Sequence, residues 1–146
     1  MTLMSTDDIS FSTDCAGVDF TALANLMKEC GMAHYEPDLH RRAYENSAHV
    51  VFLFQGNALV GCGRAISDQA YQAALYDIAV SPTLQGRKLG KAIVDHLMGQ
   101  LKGYNVILYA TPGKEDFYRK LGFRKMLSGM ASFKNQVRMS ERGFTE

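Results

Sequence analysis

Apolar residues recur along the chain at two spacings, and the changes between them outline the elements. Residues 20–30 carry Phe20, Leu23, Leu26, Met27 and Cys30 at helical spacing, with Asp19 as N-cap and Gly31 as stop. Residues 37–46 predict a second helix, opened by Pro37. Ahead of both, residues 9–12 predict a short first strand. Residues 49–55 are rich in Val and Phe and predict a strand; Gly56-Asn57 is a turn, and residues 58–66 return as the hairpin partner. Residues 70–80 predict a third long strand, ended by Ser81-Pro82. Over residues 88–101, Leu89, Ala92, Ile93, Leu97 and Leu101 share one helical face, with Lys91 and Asp95 off it. Residues 104–110 predict a buried strand, 114–121 a short helix ended by Gly122, and 123–133 a further strand. The order β-α-α-β-β-β-α-β-α-β predicts an α/β fold with a mixed sheet and helices on its faces, in a single domain over residues 1–146.

Composition narrows the class. A hydrophobic fraction of 47% and a charged fraction of 21% are ordinary for a globular chain. Three widely spaced cysteines, Cys15, Cys30 and Cys62, fit reduced thiols and a cytoplasmic location. Asp7 and Asp8 stand where a signal peptide would be apolar, and no run approaches the roughly 20 apolar residues of a membrane span. The four histidines, His34, His40, His49 and His96, show no metal-ligand spacing, so no metal is expected. Net charge is only +1, but it is unevenly spread. Residues 82–125 hold nine Lys or Arg against three acids, and the remainder holds seven against twelve. An anionic ligand in the basic stretch would account for this, as would a merely solvated surface. The basic residues gather at one loop, with no interleaved stripe of aromatics, which reads against nucleic acid.

That loop is Gln85-Gly86-Arg87-Lys88-Leu89-Gly90-Lys91, between a strand and a helix. Two glycines at a helix start let unpaired N–H groups converge, and the helix dipole adds partial positive charge. Arg87, Lys88 and Lys91 add full charges, so phosphate or pyrophosphate is the natural guest. A P-loop fits poorly, because Gly86 and Gly90 are one residue too close and Ala92 follows Lys91. The dinucleotide fingerprint needs a third glycine that is absent.

The loop resembles the coenzyme A motif Gln/Arg-x-x-Gly-x-Gly/Ala of the GCN5-related N-acetyltransferase (GNAT) family. Phe117-Tyr118-Arg119-Lys120-Leu121-Gly122-Phe123 is similar to that family's later Phe-Tyr-x-x-x-Gly-Phe block. One helix and one strand separate the two, as in the family. Residues 65–123, with Tyr76-Asp77-Ile78-Ala79-Val80 before the loop, resemble the small arylalkylamine and serotonin N-acetyltransferase type. Two positions depart: Lys88 stands at the first motif glycine, and Thr111 where an Asn is common.

The resemblance implies a GNAT-like acyl-CoA N-acyltransferase fold, a twisted mixed sheet of about six to seven strands with about four helices. It implies acetyl-CoA as cosubstrate. Ile78, Ala79 and Val80 would pair with pantetheine and supply the oxyanion donor. Gln85, Gly86, Arg87, Lys88, Leu89, Gly90 and Lys91 would hold the pyrophosphate. Thr111, Lys114, Phe117, Tyr118 and Lys120 would complete the cofactor site, with Tyr118 protonating the departing thiolate. An aliphatic ammonium has a pKa near ~10, so about one in a thousand is neutral at pH 7. A carboxylate can take its proton, and Asp77, inside an otherwise apolar strand, is the candidate base; its alternative is a hydrogen-bonded structural acid. The acceptor would lie among Met27, Met32, Tyr35, Tyr76, Met126 and Met130, a lining suited to a small aryl or alkyl amine; helical or strand core is the competing reading of the methionines. A protein lysine or N-terminal acceptor, or an acyl-CoA sensor without turnover, are the competing functions. A homodimer is compatible with either.

Overall fold

The computed structural model describes residues 8–146; Asp7, one of the two acids behind the expectation about a signal peptide, lies outside them. The described residues fall into two compact units, 8–108 and 109–146.

The first unit contains β1 (Ile9–Ser12), α1 (Phe20–Glu29), α2 (Pro37–Glu45), β2 (His49–Gln55), β3 (Ala58–Ser67), β4 (Gln72–Val80), a 3-10 turn (Pro82–Leu84), α3 (Leu89–Gly99) and β5 (Asn105–Ile107). The strands form one sheet in sequence order, antiparallel throughout except for the parallel pair β4–β5. That parallel pair requires a crossover, and α3 supplies it. Asp19 caps α1, accepting from the N–H groups of Thr21 and Ala22, and Gly31 leaves it at φ +70°.

Helices cover the sheet because its strands are apolar on both faces. Phe20, Leu23, Leu26 and Met27 of α1 and Tyr44 of α2 pack with Val50 and Phe52 of β2, Cys62 of β3 and Ala79 of β4. Burial pushes the Cys62 thiol up to about 12. The other face takes α3. A Cβ on Gly63 would stand 2.6 Å from Ile93 Cγ2 and 2.9 Å from Ile78 Cδ1, so β3 needs glycine where α3 approaches. No helix among the described residues is long and apolar enough to cross a membrane.

The second unit holds α4 (Glu115–Lys120) and α5 (Gln136–Glu141). None of its residues is buried. Its contacts are between aromatics: Tyr109 meets Phe133 and Phe144 edge-on, at centroid separations of 5.4 and 6.0 Å.

The described sheet has five strands, short of the expected six to seven, and the described residues hold five α-helices where about four were expected. The strand expected over 123–133 is irregular chain. Its apolar residues do not alternate, and Met126, Leu127 and Met130 are exposed, so no sheet face gathers them. The strand expected over 104–110 shrinks to Asn105–Ile107, and α5 is additional.

Candidate active site

The geometry of the site begins with β4. It pairs with β5 only at Gln72, Ala73 and Ala74, whereas its pairing with β3 continues to Val80. From Leu75 onward its far edge has no strand partner among the described residues. A bulge marks the change: Cys62 opposes Ala79 and Arg64 opposes Tyr76, so Gly63 alone faces Asp77 and Ile78. Asp77 takes the left-handed conformation at φ +61°, which Asp tolerates better than most residues. Beyond the bulge, Ser81 N–H donates to Val60 O at 2.8 Å. By alternation, the N–H and C=O of Val80 face the open edge. That edge is where the family resemblance places pantetheine.

The basic loop follows directly. Gly86 has φ +83°, and a Cβ there would meet nothing within 4 Å, so space lies open over the turn. Lys88 stands at the N-cap of α3 with φ +63°, exposed, and contributes no side-chain cap. The first helical bond runs from Ala92 N–H to Lys88 O. The N–H groups of Leu89, Gly90 and Lys91 thus precede the helical ladder, beside the exposed Arg87, Lys88 and Lys91. This donor set fits a pyrophosphate. Gln85 differs from expectation: its Nε2 donates to Val80 O at 3.1 Å, so its side chain ties the loop to β4.

Asp77 is not a solitary acid. Its Oδ2 accepts from Arg64 Nε at 2.7 Å, and both side chains are largely buried. The Arg64 guanidinium lies over the rings of Tyr44 and Tyr76, at 5.6 and 5.3 Å. The pair lines a cleft of about 400 Å³ with Tyr35, Leu39, His40, Arg42, Ala43 and Asn46. His40 is buried and its Nε2 accepts from Tyr35 N–H at 3.0 Å; burial lowers its pKa, so it is a neutral wall. Of the predicted acceptor residues, the cleft gathers only Tyr35. Tyr76 stands beneath Arg64. Met27 is 1% exposed in the α1 core and unavailable to a ligand; helical packing claims it, as its spacing with Leu23 and Leu26 requires. Met32 packs half-buried against the same core.

Arg64 and His40 were not among the expected site residues. Arg64 had a visible signal: a lone charge in the strand Gly61-Cys62-Gly63-Arg64-Ala65-Ile66, paired across from the Asp77 strand.

In the second unit, α4 carries Phe117, Tyr118 and Lys120, with Lys114 at its N-cap. Thr111 O accepts from Lys114 N–H and shapes the turn into it. The Tyr118 ring is half-buried between Phe117 and Phe123, at 4.9 and 5.9 Å. Burial raises its phenol above the ordinary tyrosine value, which keeps it protonated. Met126 and Met130 are exposed in the irregular chain that follows.

Residues 19–140 match the family model described as an acetyltransferase (GNAT) domain, a span that runs through both units. Serotonin N-acetyltransferase 2, chloroplastic, of Oryza sativa subsp. japonica is 33% identical over 131 residues, 82% of this chain and 65% of its own. Histone acetyltransferase TAP1 of Glycine max is 41% identical over 68 residues, covering 44% of this chain and 29% of its own. The chain thus spans less than two thirds of the length of these relatives. A probable acetyltransferase from Staphylococcus aureus superposes with a TM-score of 0.78 at 25% identity, over 87% of this chain and 99% of that one. One from Deinococcus radiodurans gives 0.77 at 23% identity, over 94% and 95%, and so supports the fold alone. With the open β4 edge and the basic loop in the positions the motifs imply, the chain belongs to the GNAT acetyltransferase family.

Proposed function

We propose that the protein transfers the acetyl group of acetyl-CoA to a primary amine, a small aryl or alkyl amine, by direct attack in a ternary complex. The observation that carries this reading is the unpaired β4 edge running straight into the uncapped start of α3. One element offers strand-like pairing to an extended thioester arm, and the next offers N–H groups and cations to its pyrophosphate.

When bound, acetyl-CoA supplies the activated thioester. The chain supplies the rest. Asp77, held by Arg64 and fronting the cleft, takes the proton of the amine directly or through a water. A backbone N–H of the stretch Ile78–Val80, on the open edge of β4, would donate to the acyl oxygen as charge develops on it. Tyr118, kept protonated by burial, gives its proton to the leaving sulfur. No covalent enzyme intermediate is required, and the buried Cys62 thiol is unsuited to one. Tyr35 and Leu39, both exposed, give the cleft an apolar rim suited to an aryl or alkyl group. The relative named for serotonin acetylation supports the amine class.

The test is release of free thiol from acetyl-CoA with aryl amines, alkyl amines, amino sugars and histone-tail peptides in turn. Release should be fastest with small aryl or alkyl amines. Faster release with the peptides would move the acceptor to protein lysine, and none with any amine would overturn the transferase reading.

A further inference from the structure

The stretch between α1 and α2, residues 31–36, has no regular structure, and its Tyr35 lines the same cleft as Asp77. Its first residues are tied to α1, with Met32 N–H donating to Met27 O at 2.9 Å. Its far end is tied by a side chain. Glu36, the N-cap of α2, makes no side-chain cap bond. Instead Nε2 of His40, one turn into the helix, reaches back and accepts from Tyr35 N–H at 3.0 Å. The His40 ring also packs against the Tyr35 ring, at a centroid separation of 5.6 Å. His40 is 4% exposed and Tyr35 56%, so a buried imidazole holds an aromatic residue that is open to a ligand.

The bond exists in only one state of the imidazole. Nε2 accepts when it carries no proton, so the single proton of neutral His40 sits on Nδ1. The imidazolium is a donor at both nitrogens. Its Nε2–H would face the Tyr35 N–H, and the tie would be lost. Burial disfavours the imidazolium most; Arg64 of β3 and His34 of the connecting stretch add to this, and Asp77 of β4 opposes it. Arg42 of α2 adds a further positive charge to the cleft lining. The tie is therefore intact at neutral pH. It is lost below the ordinary histidine value of about 6.5, as pH falls through the lowered one.

We infer that His40 is a positioning residue for the amine acceptor: its neutral Nε2 pins Tyr35 at the rim of the cleft, where the ring packs against an aryl acceptor, and protonation releases it. The inference rests on the transferase reading above, and its test separates the two. The variants are His40→Leu, which removes the acceptor nitrogen, and the conservative His40→Gln, whose Oε1 can accept from Tyr35 N–H without titrating. Each is followed by NMR without ligand, and by turnover with phenethylamine and with ethylamine, which has no ring to stack.

As pH is lowered from 7.5, the wild-type Tyr35 amide proton should move upfield with the same midpoint as the His40 ring, and in His40→Gln it should stay in place. At pH 7.5, His40→Leu should raise KM for phenethylamine about two- to tenfold, with kcat and KM for acetyl-CoA little changed, and should affect ethylamine less. His40→Gln should restore most of the phenethylamine affinity. Should His40→Leu fail to fold, KM counted on the neutral amine decides instead: below the His40 midpoint it should rise in the wild type and hold steady in His40→Gln. A Tyr35 amide that does not follow the His40 ring would overturn the inference, as would a ring that takes up no proton before the protein unfolds. So would an unchanged KM for phenethylamine in folded His40→Leu. If the wild type releases no thiol with any amine, the transferase reading fails, and the Tyr35 titration decides the tie by itself.

Discussion

The two compact units hold themselves together by different means. In residues 8–108 a five-stranded sheet is covered on one face by α1 and α2 and on the other by α3, with fully buried residues on both. In residues 109–146 no residue is buried, and half-buried aromatics make the contacts. The anion loop, Val80 and Asp77 are therefore set by a packed core. Tyr118 stands on a six-residue helix between Phe117 and Phe123. The residues proposed to bind the cofactor are thus held by a packed scaffold, whereas Tyr118, the proposed proton donor, is held by local ring contacts.

Core truncation should show the difference most strongly. Phe52→Ala empties a fully buried position and should cost about 3–5 kcal/mol in urea unfolding, while Phe133→Ala, half-buried in the second unit, should cost no more than about 1.5 kcal/mol. Equal losses would erase the contrast. Tyr118→Phe keeps the ring contacts and removes the proton. It should lower kcat about a hundredfold with an unchanged unfolding midpoint. A shifted midpoint with normal turnover would make Tyr118 a packing residue.

A pH series probes the packed first unit. Burial lowers the pKa of His40, so the unfolded chain binds the proton more readily. Its contribution to stability is present above the ordinary value of about 6.5 and is lost as pH falls toward the lowered one. Between pH 7.5 and 5.5 the wild type should lose more stability than His40→Gln; parallel losses would remove His40 as the cause. The smallest effect belongs to the loop. Lys88→Gly relieves a left-handed non-glycine residue and should stabilise by about 1 kcal/mol. No gain would show that the exposed N-cap carries no strain.

Most of the first unit was legible in the sequence because its patterns are long and one-sided. The α1 stripe of Phe20, Leu23, Leu26 and Met27, its Asp19 cap and the hairpin around Gly56-Asn57 all carry their own local signals. In the second unit only α4 was legible, expected over 114–121 and found at Glu115–Lys120; the apolar residues after it follow neither period, and Phe123, Met126, Leu127, Met130 and Phe133 belong to irregular chain. In the site, the loop and the Phe-Tyr block could be read as motifs. Arg64 could be seen as a lone charge in its strand, but its pairing with Asp77 depends on the register of β3 against β4, and the Gln85–Val80 bond on how the loop turns back to the end of β4. Met27 shows the opposite limit: a residue type suited to a pocket is also suited to a core, and helical spacing placed it in the core.

The central claim is that the loop at the start of α3 and the open edge of β4 bind acetyl-CoA. Calorimetric titration of acetyl-CoA into the intact protein tests it most directly. One site with Kd in about the micromolar to submillimolar range is expected, weakened by Lys91→Ala and by added salt. No heat and no rise in melting temperature at about millimolar ligand would contradict it.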